Sequence, residues 1–144
     1  MKSRIKFFSL LGLALMLLPG LSGCSSAKPA GLSNQQVAGI TENILKAIDA
    51  NDYQQFSRDF SDSMKSGFTE DQFNVLRATL QSASGGFVSL DTTPSISNNQ
   101  GYAVYIFSSK YTKETVYVTI TFLIGAQKVE GLFFDSANLR KAPK

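Results

Sequence analysis

The chain has 144 residues, and its 14 Lys and Arg against 11 Asp and Glu give a formal charge of +3. Lys2, Arg4 and Lys6 account for that excess, so the rest of the chain is balanced and the usual electrostatic argument for nucleic-acid binding is missing. Histidine is absent, which removes the commonest metal ligand and the commonest neutral-pH base.

Residues 1–23 read as an export leader. Met1–Lys6 supplies positive charge, Phe7–Leu18 is an apolar run of 12 residues broken only by Ser9 and Gly12, and Pro19-Gly20 ends any helix there. Twelve helical residues rise about 18 Å, well short of the roughly 30 Å hydrocarbon core of a bilayer, so the run is a signal sequence and not a lasting span. The leader closes with Leu21-Ser22-Gly23-Cys24, which resembles the lipobox of bacterial and archaeal lipoproteins. That resemblance implies a lipidated Cys24, cleavage just before it, and an anchor on the extracytoplasmic face of a cell membrane. Where a cell has two membranes, the outer one is open to it, since Ser25 and not an acid follows the cysteine. Once acylated, the only thiol of the chain is unavailable for a disulfide.

Residues 24–32 are small and polar with Pro29 and Gly31, and read as a tether. The domain proper is expected over 33–135, with 136–144 as a C-terminal tail. Three helix starts each pair a capping residue with a glutamine three positions on: Ser33 with Gln36, Asp52 with Gln55, and Thr69 with Gln72. The first helix stripes Val37, Ile40, Ile44, Leu45 and Ile48 and stops near Asn51. The second carries Tyr53, Phe56, Phe60 and Met64 as far as Gly67. The third carries Phe73, Leu76, Leu80 and Ala83 as far as Gly85-Gly86.

After Gly86 the period becomes two. Strands are expected over 87–90, 102–111, 114–124 and 128–134, with 91–100 as a turn-rich loop. Val116, Val118, Ile120, Phe122 and Ile124 share one face of the third strand, against Thr115, Tyr117, Thr119 and Thr121 on the other. A two-residue turn at Thr112-Lys113 would bring Tyr105 and Phe107 to the buried face beside Ile120 and Val118. The register of the last strand is open. The expected class is α+β, three helices on one face of a four-stranded antiparallel sheet.

Asn51-Asp52-Tyr53, Phe56, Phe60, Met64-Lys65, Thr69-Glu70-Asp71-Gln72-Phe73, Gly85-Gly86-Phe87 and the ending Val129-Glu130-Gly131-Leu132-Phe133-Phe134 make a pattern. It is similar to an uncharacterised lipoprotein-associated family within the cystatin-like, nuclear-transport-factor-2-like superfamily. The likeness spans roughly Ser33 to Asp135 and rests on core and turn residues, which speak to fold more than to activity. It implies a curved sheet wrapped round the first helix as a cone, a pocket at the open end, and dimers through the outer sheet face. Some members of the family precede a hydrolase domain, which is not found in this sequence.

A serine triad fails for want of histidine, and a thiol enzyme fails because Cys24 serves the anchor. No phosphate-cradling loop is present, and Asp59/Asp62 and Glu70/Asp71 miss the ligand spacing of a calcium loop. No cofactor or metal is therefore expected. The superfamily includes acid/base enzymes, for which Tyr105 or Tyr53 with Asp91 or Asp135 would be the candidates. The leading expectation is a non-enzymatic binding module for a small apolar ligand or an envelope protein, with Phe73, Tyr105, Phe107, Ile120 and Phe122 around the pocket. The rivals are an isomerase- or hydratase-like enzyme using Tyr and Asp, and a purely structural role. Tyr102, Val104, Ile106 and Tyr117 form either a homodimer face or an ordinary half-exposed one.

Overall fold

The computed structural model describes residues 31–141; the leader, Cys24 and most of the tether lie outside the described residues. Four helices precede five strands. Helix α1 (Asn34–Ala50) begins at Ser33, whose hydroxyl accepts the Gln36 N–H while the Gln36 side chain accepts the Ser33 N–H. It stops at Asn51, with φ 57° and ψ 41°, a left-handed conformation that asparagine tolerates better than most residues. Thr69 and Gln72 cap α4 (Glu70–Ala83) in the same reciprocal way. Asp52 caps α2 (Tyr53–Ser57) from one side only, because the Gln55 amide donates instead to Asn43 on α1.

The helix expected from Asp52 to Gly67 is in fact two. Val129 donates its N–H to Asp59 O at 2.9 Å and accepts the Ser61 N–H at 2.9 Å, drawing the backbone around Phe60 out of the helix. Ser61 then caps a new helix, α3 (Asp62–Gly67). Phe60 stays buried, and the detour covers the start of the last strand's otherwise open edge.

Strands β1 (Phe87–Leu90), β2 (Ser95–Asn99), β3 (Tyr102–Tyr111), β4 (Thr115–Leu123) and β5 (Val129–Asp135) form one open antiparallel sheet in the order β1-β3-β4-β5, with β2 also on β3. The count is thus five strands where four were expected. β1 lies opposite Ser109–Tyr111 and β2 opposite Tyr102–Ile106. The two are successive parts of one edge, broken at Asp91–Pro94. Apart from Ile96, Ser-Ile-Ser-Asn-Asn holds no residue that favours a strand, and all five residues are exposed. The turn specifies it instead: Gln100 (φ 47°) and Gly101 (φ 87°) supply the two positive values that a primed two-residue hairpin needs.

Tyr105 pairs with Ile120 and Phe107 with Val118, the register that a Thr112-Lys113 turn gives. Neither turn residue has a positive φ. The turn is held from outside, by Thr112 N–H to Gly86 O at 3.0 Å and Lys113 N–H to Ser84 O at 3.1 Å. Gly85 ends α4 at φ 84°, and a Cβ there would stand 1.9 Å from Thr112 Oγ1, so no other residue fits. In β5, Gly131 faces Thr121 while Val129 faces Phe122, which leaves Glu130 as the extra residue of a bulge.

The helices cover one sheet face. Val37, Ile44, Ile48, Phe56, Phe60, Phe73 and Leu80 meet Phe107, Tyr111, Val116 and Ile120 there. Tyr53, Phe56, Phe60, Phe68 and Phe73 stack in tilted and edge-to-face pairs with centroids 4.8–6.4 Å apart, geometries that add to simple burial. Among the described residues, those of this core and those packed against it lie between Leu32 and Leu139, within the chain from residue 24 onward. Residues 136–141, assigned to a tail from sequence, stay on the fold: Ser136 is buried and Leu139 packs against the core.

Candidate functional site

At the end of the sheet where β3 begins and β4 finishes, the cover among the described residues is the first turn of α1 and the residues leading into it. The inward face there carries Ala103 and Phe122, which pair across the strands, and Tyr105 one step further in. A pocket of about 410 Å³ opens between them and Leu32, Val37, Asn98 and the turn Ile124–Ala126. Tyr105 and Phe122 meet edge to face across 6.0 Å at 86° and form its floor. Gly125, at φ 85°, makes the turn, and the backbone of Gly31 runs beside it, where a Cβ on Gly31 would make ordinary contact with Gly125 N at 3.7 Å. Among the described residues, Asn98 and Tyr105 are the lining residues with polar side-chain groups, and none of the lining residues is charged. Its volume suits one small ligand or a single hydrocarbon chain. Two further depressions have polar walls, one around Lys110, Lys113 and Glu114 and one around Asn34, Glu42 and Thr92.

Of the five residues expected round a pocket, Tyr105 and Phe122 line it. Phe73, Phe107 and Ile120 do not; they are sealed in the packed core at 0–1 % exposure. Alternation identifies the inward face of a strand but not the point along it where the cover ends. The same reason hid Leu32, Ala103 and Ile124–Ala126. The only signal for them was Gly125, the turn residue next to the strand end.

The outer face carries Tyr102, Val104, Ile106 and Tyr117, as the register requires. Val104 is half-buried, while Tyr102, Ile106 and Tyr117 are exposed. Leu123 and Phe133 join them, Phe133 as the most exposed at 62 % and directly opposite Thr119. Sequence reasoning missed Phe133 because the bulge at Glu130 sets its side.

The tyrosine–aspartate candidates are not assembled into one site. Tyr53 donates its hydroxyl to Phe68 O at 2.7 Å. Asp91 accepts the Thr93 N–H at 3.0 Å within its own turn. Asp135 pairs with Tyr117 on the outer side, and the Arg140 guanidinium on its carboxylate holds its pKa below the ordinary value. The buried Tyr111 hydroxyl has no hydrogen-bond partner, and desolvation, reinforced by the negative Asp49, pushes its pKa well above the ordinary phenol range. It is a neutral group that makes no hydrogen bond to the Asp49 carboxylate or to any other described group. Among the described residues no cluster of three or more His, Cys, Asp or Glu could hold a metal, and no helix is long and apolar enough to cross a membrane.

No curated protein and no solved structure matches the chain. Residues 41–132, from the middle of α1 into β5, match the family described as protein of unknown function (DUF3887). The match covers well over half of the chain and includes the strands that floor the pocket, and so the protein belongs to the DUF3887 family.

Proposed function

We propose that this protein is a lipid-anchored, non-enzymatic binding module on the outer side of a membrane, taking a small apolar ligand in the pocket between β3, β4 and the start of α1. The wall of that pocket carries this reading: its described residues are mostly apolar, with polar side chains at Asn98 and Tyr105 and no carboxylate among them. Such a wall rewards burial of hydrocarbon and offers no acid or base pair to a reacting bond. The anchor is the part read from Leu21-Ser22-Gly23-Cys24. Helices before strands, on one face of an open sheet, support the cystatin-like, nuclear-transport-factor-2-like cone, with the pocket at its open end. The chain from residue 24 with Cys24→Ser, made without the leader, should bind a fluorescent monoacylglycerol. Ala103→Trp should abolish that binding while keeping the circular dichroism of the parent. A parent that gives no fluorescence change would refute the reading.

A homodimer through the outer sheet face is the second reading, and the five exposed residues Tyr102, Ile106, Tyr117, Leu123 and Phe133 favour it. Four strands about 4.8 Å apart and about 30 Å long span roughly 600 Å² in projection, close to what one partner of a standard interface contributes. Ile106→Lys should halve the mass measured by light scattering; an unchanged mass would refute the dimer.

A further inference from the structure

We propose, building on the binding-module reading, that the occupant of the pocket is the acyl chain carried by this protein's own Cys24. Gly31 and Leu32, the first described residues, are themselves part of the pocket wall. Cys24 precedes Gly31 by seven residues, a span of at most about 25 Å when extended and about 15 Å as a flexible chain. A tail fixed at that distance meets the pocket mouth at an effective concentration in the millimolar range, without any encounter step.

The wall chemistry selects the same occupant. Leu32, Val37, Ala103 and Phe122 present hydrocarbon, and among the described residues no cation lines the site. A free fatty acid would bring a carboxylate that finds no cationic partner among the described lining residues. A chain already joined to the cysteine through a neutral ester or amide link brings none. Asn98 is the polar group at hand for the link itself.

The bilayer competes for the same tail, and lipid hydrocarbon is as apolar as the pocket, so little is gained by leaving it. The pocket matters when the protein is off the membrane. A tail in water loses about 0.8 kcal/mol per methylene that burial would otherwise contribute, and the wall covers that hydrocarbon until it inserts. The pocket is therefore a shelter for the anchor as well as a binding site.

The test feeds cells a photoactivatable fatty acid, purifies the full lipidated protein, dilutes the detergent below its micelle concentration and irradiates. An intramolecular adduct on the peptide holding Ala103–Tyr105 or the one holding Phe122–Ala126 is the expected result. Ala103→Trp should lose it about tenfold or more, and Ala103→Leu, a smaller change, should weaken it if the tryptophan variant fails to fold. Adducts confined to phospholipid or detergent, adducts spread equally over the outer-face peptide of Phe133, or a wild type with no label on Cys24 would each overturn the proposal. The monoacylglycerol assay on the Cys24→Ser chain separates the two claims. Retained binding without an intramolecular adduct removes the occupant and leaves the pocket; loss of binding removes both.

Discussion

The two ends of the β3–β4 pair are built from the same alternation and yet close differently. At the hairpin end, Tyr111 and Val116 lie under helical cover, and Glu114 ties three segments together. Its carboxylate accepts from Ser84 Oγ at 2.6 Å at the end of α4, and from Ser136 Oγ at 2.7 Å and the Asn138 N–H at 3.1 Å beyond β5. Lys113 Nζ adds a bond to Ser82 O at 2.7 Å. At the other end Ala103 and Phe122 continue the inward row, but among the described residues the helical cover is down to the first turn of α1 and a pocket remains. Along β3 the inward set Ala103, Tyr105, Phe107, Ser109 and Tyr111 keeps its period throughout. The site arises where the cover stops, and not where the strand changes character.

Substitutions on one row of β3 sharpen that contrast. Phe107→Ala should cost about 4 kcal/mol in urea unfolding, since Phe107 is fully enclosed and the space it leaves cannot refill. Tyr105→Ala, two residues along the same face but bordering the pocket, should cost clearly less, because part of its surface already faces open volume. Equal losses would break the distinction between the two ends.

The Glu114 tie tests the closed end through pH. Partial desolvation acts to raise the carboxyl pKa, but the bonds from Ser84, Ser136 and the Asn138 N–H, helped by the charge of Lys141, outweigh it and hold the pKa below 4.5. A carboxylate with a depressed folded pKa adds stability above its unfolded value and loses it as pH falls through the folded one. Glu114→Gln should therefore cost about 1 kcal/mol at neutral pH, a modest figure because the group is half exposed and screened. The gap from wild type should stay level above pH 4.5 and close below it, as followed by urea midpoints. A gap independent of pH would mean that the charge contributes nothing to the tie.

Helix starts, strand faces and the β3–β4 register were legible because caps and alternation are local and period-bound. Ser33, Thr69, Asn51 and Gly85 each act where their chemistry directs. What escaped depends on partners distant in sequence. The break at Phe60 needs Val129, strand β2 needs the edge of β3, and the side taken by Phe133 needs a bulge. The pocket is the extreme case, since its wall joins residues 31–37 to 98–126 and no single segment carries its pattern.

Ala103→Leu should produce the smallest change in stability, within about 0.5 kcal/mol of the parent and on the stabilising side if anything. The added carbons point into open volume beside Phe122 and Tyr105, so they bury apolar surface without displacing a packed neighbour. In a packed core the same enlargement forces rotamers off their minima and typically costs 1–3 kcal/mol. The urea midpoint thus reads directly whether space exists at this end. A loss of about 2 kcal/mol would mean that the wall is already filled, and the open end would then differ from the closed one only in sequence. Unchanged stability together with weakened monoacylglycerol binding is the expected pair of results, because the side chain then takes up the volume the ligand needs and nothing else.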